Sequence, residues 1–245
     1  MNVLDAQQYL RGIRLKREEV PSFRQYPFCL PAVRNFDELA FHPFVTFLIG
    51  ENGTGKSTLL EAIAVAWGFN AEGGTRNFHF ATQESHSQLH NHITLTRGVR
   101  RPRDGFFLRA ESFYNVVSEI DRLDVAHAYG GRSLHEQSHG ESFFAHFTER
   151  FGGDGLYILD EPEAAVSPTR QLAMLVRMHD LVRQRSQFII ATHSPIIMAY
   201  PDAQILLLDD NGIAPVRYED TEHFVVTREF LNDRSRMFAE LFSGP

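Results

Sequence analysis

Eight residues, Gly50-Glu51-Asn52-Gly53-Thr54-Gly55-Lys56-Ser57, place glycines, a lysine and a hydroxyl at the spacing G-x-x-x-x-G-K-[ST]. A segment of this kind can cradle an anion. Gly50, Gly53 and Gly55 let the backbone bend until successive N–H groups point inward. A helix starting at the end of the segment adds its positive N-terminal pole. Lys56 can then reach the β- and γ-phosphates of a nucleotide, and the Ser57 hydroxyl can ligate Mg²⁺. The run from 50 to 58, with Glu51, Asn52 and Thr54 between the glycines and Thr58 at its end, is expected to contact such a ligand.

Three further segments carry related chemistry. Leu156-Tyr157-Ile158-Leu159 runs into Asp160-Glu161-Pro162, four apolar residues ending in two carboxylates (the Walker B pattern). In open α/β sheets ligands gather at the carboxyl ends of strands, so both acids should face the bound phosphates. Asp160 is expected to hold Mg²⁺ through water, and Glu161 to act as general base on the attacking water. Phe188-Ile189-Ile190-Ala191 ends in Thr192-His193-Ser194-Pro195. There His193 can hydrogen-bond the γ-phosphate and the water. Ser138-His139-Gly140-Glu141-Ser142 opens a helix, and its Ser138 and Gly140 form an anion site with nothing nearby in the chain to bind.

These segments need a scaffold of alternating strands and helices. An apolar run at 44–49 reads as a buried strand leading into the phosphate loop, and 57–64 reads as a helix leading out. Strands are expected at 93–96, 106–109, 155–159, 187–191 and 204–208. Helices are expected at 113–123, 142–150, 167–185 and 195–199. Such alternation predicts an α/β fold with a mostly parallel sheet and helices on both faces. Residues 1–43, with Pro21, Pro27 and Pro31, read as edge strands of a small β subdomain, and Pro43 precedes the core. Apolar residues at helical spacing over 223–242 predict a helical cap on the sheet edge.

The chain has 245 residues, net charge −7 and one cysteine, Cys29. That length can bury a sizeable core. The lone cysteine excludes an internal disulfide framework. No secretion signal is evident, and no apolar run reaches the ~18–20 residues of a membrane span, so a cytoplasmic protein without membrane insertion is expected. The acidic balance argues against a general nucleic-acid coat. Arg97, Arg100, Arg101 and Arg103 read as the solvated tip of a hairpin, with contact to a phosphate backbone as the alternative. His79, His86, His90 and His92 lack a cysteine or carboxylate pair and read as a polar surface loop rather than a metal site.

In their order along the chain, GENGTGKS, SHGES, LDEPEAAVSP and ATHSP resemble the ABC-type ATPases. GENGTGKSTLLEAIA and DEPEAAVSP look more like the SMC, RecF and OLD branch than like transporter subunits, and small single-domain bacterial AAA family ATPases are similar. The resemblance runs from about residue 40 onward and implies a P-loop NTPase with a short helical lobe carrying the signature. It implies one ATPase domain over 1–245: an N-terminal β part (1–43), a Walker A core (44–68), a lobe (69–150), and Walker B, His switch and cap (151–245). It also implies ATP and Mg²⁺ as ligands and a homodimer closed around ATP, with Ser138 and Gly140 acting in trans on the phosphate loop of the partner. Ala165, Val166 and Ser167 would face that dimer. Two departures stand out. His139 replaces a usual glycine of the signature, and Glu111 stands where a metal-associated glutamine is usual, with Gln83 and Gln88 as weaker candidates. Arg14, Phe36 and Phe44 are candidates for stacking on adenine.

The expected function is Mg²⁺-dependent ATP hydrolysis coupled to a partner protein or to DNA, in DNA maintenance or phage defence. One alternative is the cytosolic ATP-binding subunit of an ABC transporter, which Glu111 and the DEPE wording disfavour. Another is a regulatory ATPase gating a separate effector such as a nuclease. With no second acidic cluster in the sequence, that nuclease is expected on a partner chain.

Overall fold

Apolar runs bounded by glycine and proline fold into two sheets in the computed structural model, which describes residues 8–75, 87–109, 150–164 and 166–243. In chain order the elements are β1 (Leu10–Leu15), the short helix α1 (Pro31–Arg34), β2 (Glu38–Ala40), β3 (Val45–Ile49), α2 (Lys56–Trp67), β4 (Ile93–Arg97), β5 (Asp104–Arg109), β6 (Gly155–Asp160), α3 (Pro168–Arg183), β7 (Gln187–Ala191), β8 (Gln204–Asp209), β9 (Gly212–Pro215), α4 (Glu222–Asn232) and α5 (Arg234–Phe242).

The main sheet has the order β5-β6-β7-β3-β8-β9. Its first five strands run parallel, and β9 returns antiparallel to β8. Every residue of β3, β6 and β7 is buried, the pattern of strands covered on both faces. Alternate side chains serve the two sides. Leu48, Ile158 and Ile189 pack with Leu59, Leu60 and Ile63 of α2. Phe47, Tyr157 and Phe188 pack with Met174, Met178 and Leu181 of α3. The α/β architecture with a mostly parallel sheet is therefore as the apolar patterning predicts.

The small β subdomain is an antiparallel sheet of order β2-β1-β4. A buried amide ties it to the main sheet. Gln187, at the start of β7, accepts from Tyr9 N (3.1 Å) and Leu10 N (2.9 Å), and donates to Leu10 O (2.8 Å) and His42 O (3.0 Å). One side chain so pairs with backbone groups of two separate segments.

Four local expectations are corrected. The arginine segment at 98–103 is not a hairpin, because β4 pairs with β1 while β5 pairs with β6. Gly98 N donates to Tyr9 O and Arg103 N to Asp154 O, both at 2.8 Å, so the segment is pinned to a different sheet at each end. The third strand of the small sheet comes from 93–97, beyond the first 43 residues. Only a 3-10 turn, Ile197–Ala199, forms where a helix was expected at 195–199; Ser194 Oγ caps its entry by accepting from the N–H of Ile196 and Ile197. The tail does not run along a sheet edge. Tyr218 OH donates to Pro195 O (2.8 Å) and Thr221 caps α4, which sets the first turn of that helix beside the loop after β7. The expected helix at 113–123 and all but the last residue of the one at 142–150 lie outside the described residues, as do His79 and His86. His92 instead packs its ring edge-on against Phe28.

Candidate functional site

The phosphate loop joins β3 to α2. Gly50 has φ 144° and Gly55, the N-cap of α2, has φ 103°, both conformations that side chains oppose. A Cβ on Gly50 would stand 2.2 Å from Leu208 O, so β8 crowds the loop and requires glycine there. Thr54 Oγ1 donates to Glu51 O (2.9 Å) and closes the turn. Lys56 Nζ lies across the loop, donating to Gly50 O and Glu51 O, each at 2.8 Å. Burial lowers the pKa of this ammonium, while the charges of Glu161, Asp160 and Glu163 pull it back up. Asn52 and Gly53 form the exposed rim of the loop. Thr58 Oγ1 is 3.2 Å from the Tyr26 hydroxyl, so that side chain is engaged within the protein.

Sheet order brings the other groups to this loop. β6, β7 and β3 are adjacent, and their carboxyl ends carry Asp160, Thr192 and Gly50 side by side. Ser57 Oγ donates to Asp160 Oδ1 at 3.1 Å. A hydroxyl and a carboxylate so placed are hard oxygen donors that fit Mg²⁺. Glu161 has φ 49°, a left-handed conformation uncommon outside glycine, fixed by Glu161 N donating to Ala191 O (2.9 Å). Its Oε1 lies 3.6 Å from His193 Nε2. Glu161 and His193 open on a cleft of about 960 Å³ that also meets Glu51, Asn52, Gly53 and His223.

Two groups at the site escaped sequence reading. Glu163 Oε1 accepts from His193 N (2.6 Å) and Ser194 N (3.2 Å), shaping the loop that carries His193. The third acid of DEPE was the available signal. His223, from α4, has Nε2 at 3.1 Å from His193 Nδ1, and no local pattern marks it. The structure thus brings together Lys56, Ser57, Asp160, Glu161 and His193. Glu111, Ser138, Gly140, Gln83 and Ala165 lie outside the described residues. Among the adenine candidates, Phe36 is buried in the core, and Phe44 sits at the entry of β3, at the far end of the strand from the loop. Arg14 is exposed on β1.

A family profile described as an AAA domain matches residues 21–119. The chain is 24% identical over 185 residues to an uncharacterised ABC transporter ATP-binding protein of Haemophilus influenzae, covering 66% of this chain and 68% of that protein. Both likenesses agree with the loop, strand ends and histidine just described. The chain is similar to ABC-type ATP-binding proteins. Solved structures similar to this chain include a metal-chelate type ABC transporter in an inward-facing conformation (16% identity, TM-score 0.47, 90% of this chain and 88% of that one). Another is the SMC head domain from Thermotoga maritima (17% identity, TM-score 0.43, 86% of this chain and 100% of that one). Among the described residues, no helix is long and apolar enough to cross a membrane.

Proposed function

We propose that this chain hydrolyses ATP with Mg²⁺, and that two copies close around the nucleotide. The observation that carries this reading is the convergence of Lys56, Ser57, Asp160, Glu161 and His193 at three adjacent strand ends. The loop amides and the Lys56 ammonium bind and orient the phosphates. Ser57 and Asp160 would hold Mg²⁺, whose charge neutralises phosphate oxygens when bound. Glu161 takes the proton of the attacking water, and His193 donates a hydrogen bond to the transferred phosphoryl group. Ser138 and Gly140 of a second copy complete the site, as the SHGES segment and its resemblance to the ABC signature imply. ATP binding then favours the dimer and hydrolysis releases it, which switches a partner protein or DNA contact. The SMC, RecF and OLD likeness of the DEPEAAVSP wording supports that coupling over transport.

Glu161→Gln keeps the shape of the site and removes its base. Incubated with ATP and Mg²⁺, this variant should elute as a dimer in size exclusion with light scattering and release phosphate slowly. A monomer under saturating ATP would exclude the two-copy arrangement. The name of the Haemophilus influenzae relative favours a second reading, the ATP-binding subunit of a transporter. Co-purification of a membrane protein with the wild-type chain would select it.

A further inference from the structure

The wall of the nucleotide cleft includes α4. Glu222, His223 and Val226 line it together with Asn52, Glu161 and His193. The two imidazoles stand with centroids 5.3 Å apart, and Nδ1 of His193 is 3.1 Å from Nε2 of His223. At that separation one ring donates an N–H to the lone pair of the other, and either ring can be the donor. The far nitrogen of His193 decides which. His193 Nε2 is buried, makes no hydrogen bond among the described residues, and has Glu161 Oε1 at 3.6 Å. A carboxylate oxygen accepts, and so does a phosphate oxygen. To serve either, Nε2 must carry the hydrogen, and Nδ1 must then be the acceptor. His223 is the group placed to donate to it.

We propose that His223 is a positioning residue: its Nε2–H holds His193 in the Nε2–H tautomer, the form that donates into the cleft. The consequence for turnover rests on the ATPase reading above, whereas the tautomer itself does not. Burial lowers both imidazoles below their ordinary value, so the neutral rings are the relevant forms near pH 7. The charged and titratable groups facing His223 are His193, Glu222, Lys56 and Glu163. Core packing does not explain the contact, because α4 contains no buried residue. The hydrogen bond therefore couples α4 to the strand-end histidine, across 30 positions of sequence.

The test is the ¹⁵N imidazole spectrum of the full chain, read with steady-state kinetics. Wild type should show His193 as the Nε2–H tautomer. His223→Phe should shift His193 toward a tautomer mixture. Its kcat should fall roughly tenfold, the loss of one orienting hydrogen bond, with ATP affinity within about twofold of wild type. His223→Gln, which restores an N–H donor, should recover most of that kcat. A His193 that carries its hydrogen on Nδ1 in wild type overturns the proposal, as does a His193 spectrum or a kcat unchanged in His223→Phe. Because α4 buries no residue, both variants should fold, and thermal melts check this. A wild-type chain that neither binds nor hydrolyses ATP refutes the ATPase reading, while its imidazole spectrum still decides the tautomer.

Discussion

Lys56 is held by two loop carbonyls and is nearly sealed from water, so its charge is committed to the loop interior. Replacing it with alanine deletes the one cation inside the cradle among the described residues, and Lys56→Ala should bind a fluorescent ATP analogue at least about a hundredfold more weakly, a loss of about 3 kcal/mol. Glu163 has a different task. Burial raises its carboxyl above the ordinary value, against the pull of the N–H groups it accepts from. The folded chain therefore holds this proton longer than the unfolded chain. The stability contributed is complete below the unfolded value, near 4.3, and is lost as pH rises through the folded one. Glu163→Gln keeps an acceptor for His193 and Ser194 without a buried charge. It should melt with wild type at pH 4 and above it at pH 7, in thermal scans followed by circular dichroism; an equal gap at both values would count against this origin.

At the scale of elements, the phosphate loop and both carboxylates were legible because each depends on neighbours in sequence. A glycine at φ 144° between an apolar strand and a helix is a local event, and so is an acid at the end of a buried strand. What joins the elements was not legible. Arg109, ending β5, pairs with Glu61 on α2 at 2.8 Å, and Glu61 also accepts from Ser87 N (3.0 Å). No spacing links residues 48 positions apart. Glu61 is buried, so losing the guanidinium removes the counter-charge of its carboxylate. Arg109→Met should destabilise by about 2–3 kcal/mol in urea unfolding, and Arg109→Met with Glu61→Leu should recover part of it, as a buried pair replaced whole costs less than a pair broken. The arginine segment at 98–103 shows the same limit: turn chemistry was visible, but its role as a bridge between two sheets depended on which strands paired.

At the scale of the whole molecule, the two sheets act together through Gln187. Gln187→Leu keeps the volume but leaves the backbone groups of Tyr9, Leu10 and His42 without that partner. The expected cost is about 3 kcal/mol, or roughly 6–12 °C in Tm for a chain of this size. Calorimetry should show one transition in wild type and, if the amide is the tie, a lower or split transition in the variant. The amino-acid sequence by itself determined the anion cradle, the paired acids at a strand end and the α/β alternation, since short-range spacing dictates backbone bends and buried faces. Only the tertiary structure decided that His223 meets His193, that Glu163 wraps its loop, and that the tail borders the cleft rather than a sheet edge. Those contacts follow from strand order and packing, which join residues far apart in the chain and leave no periodic trace in it.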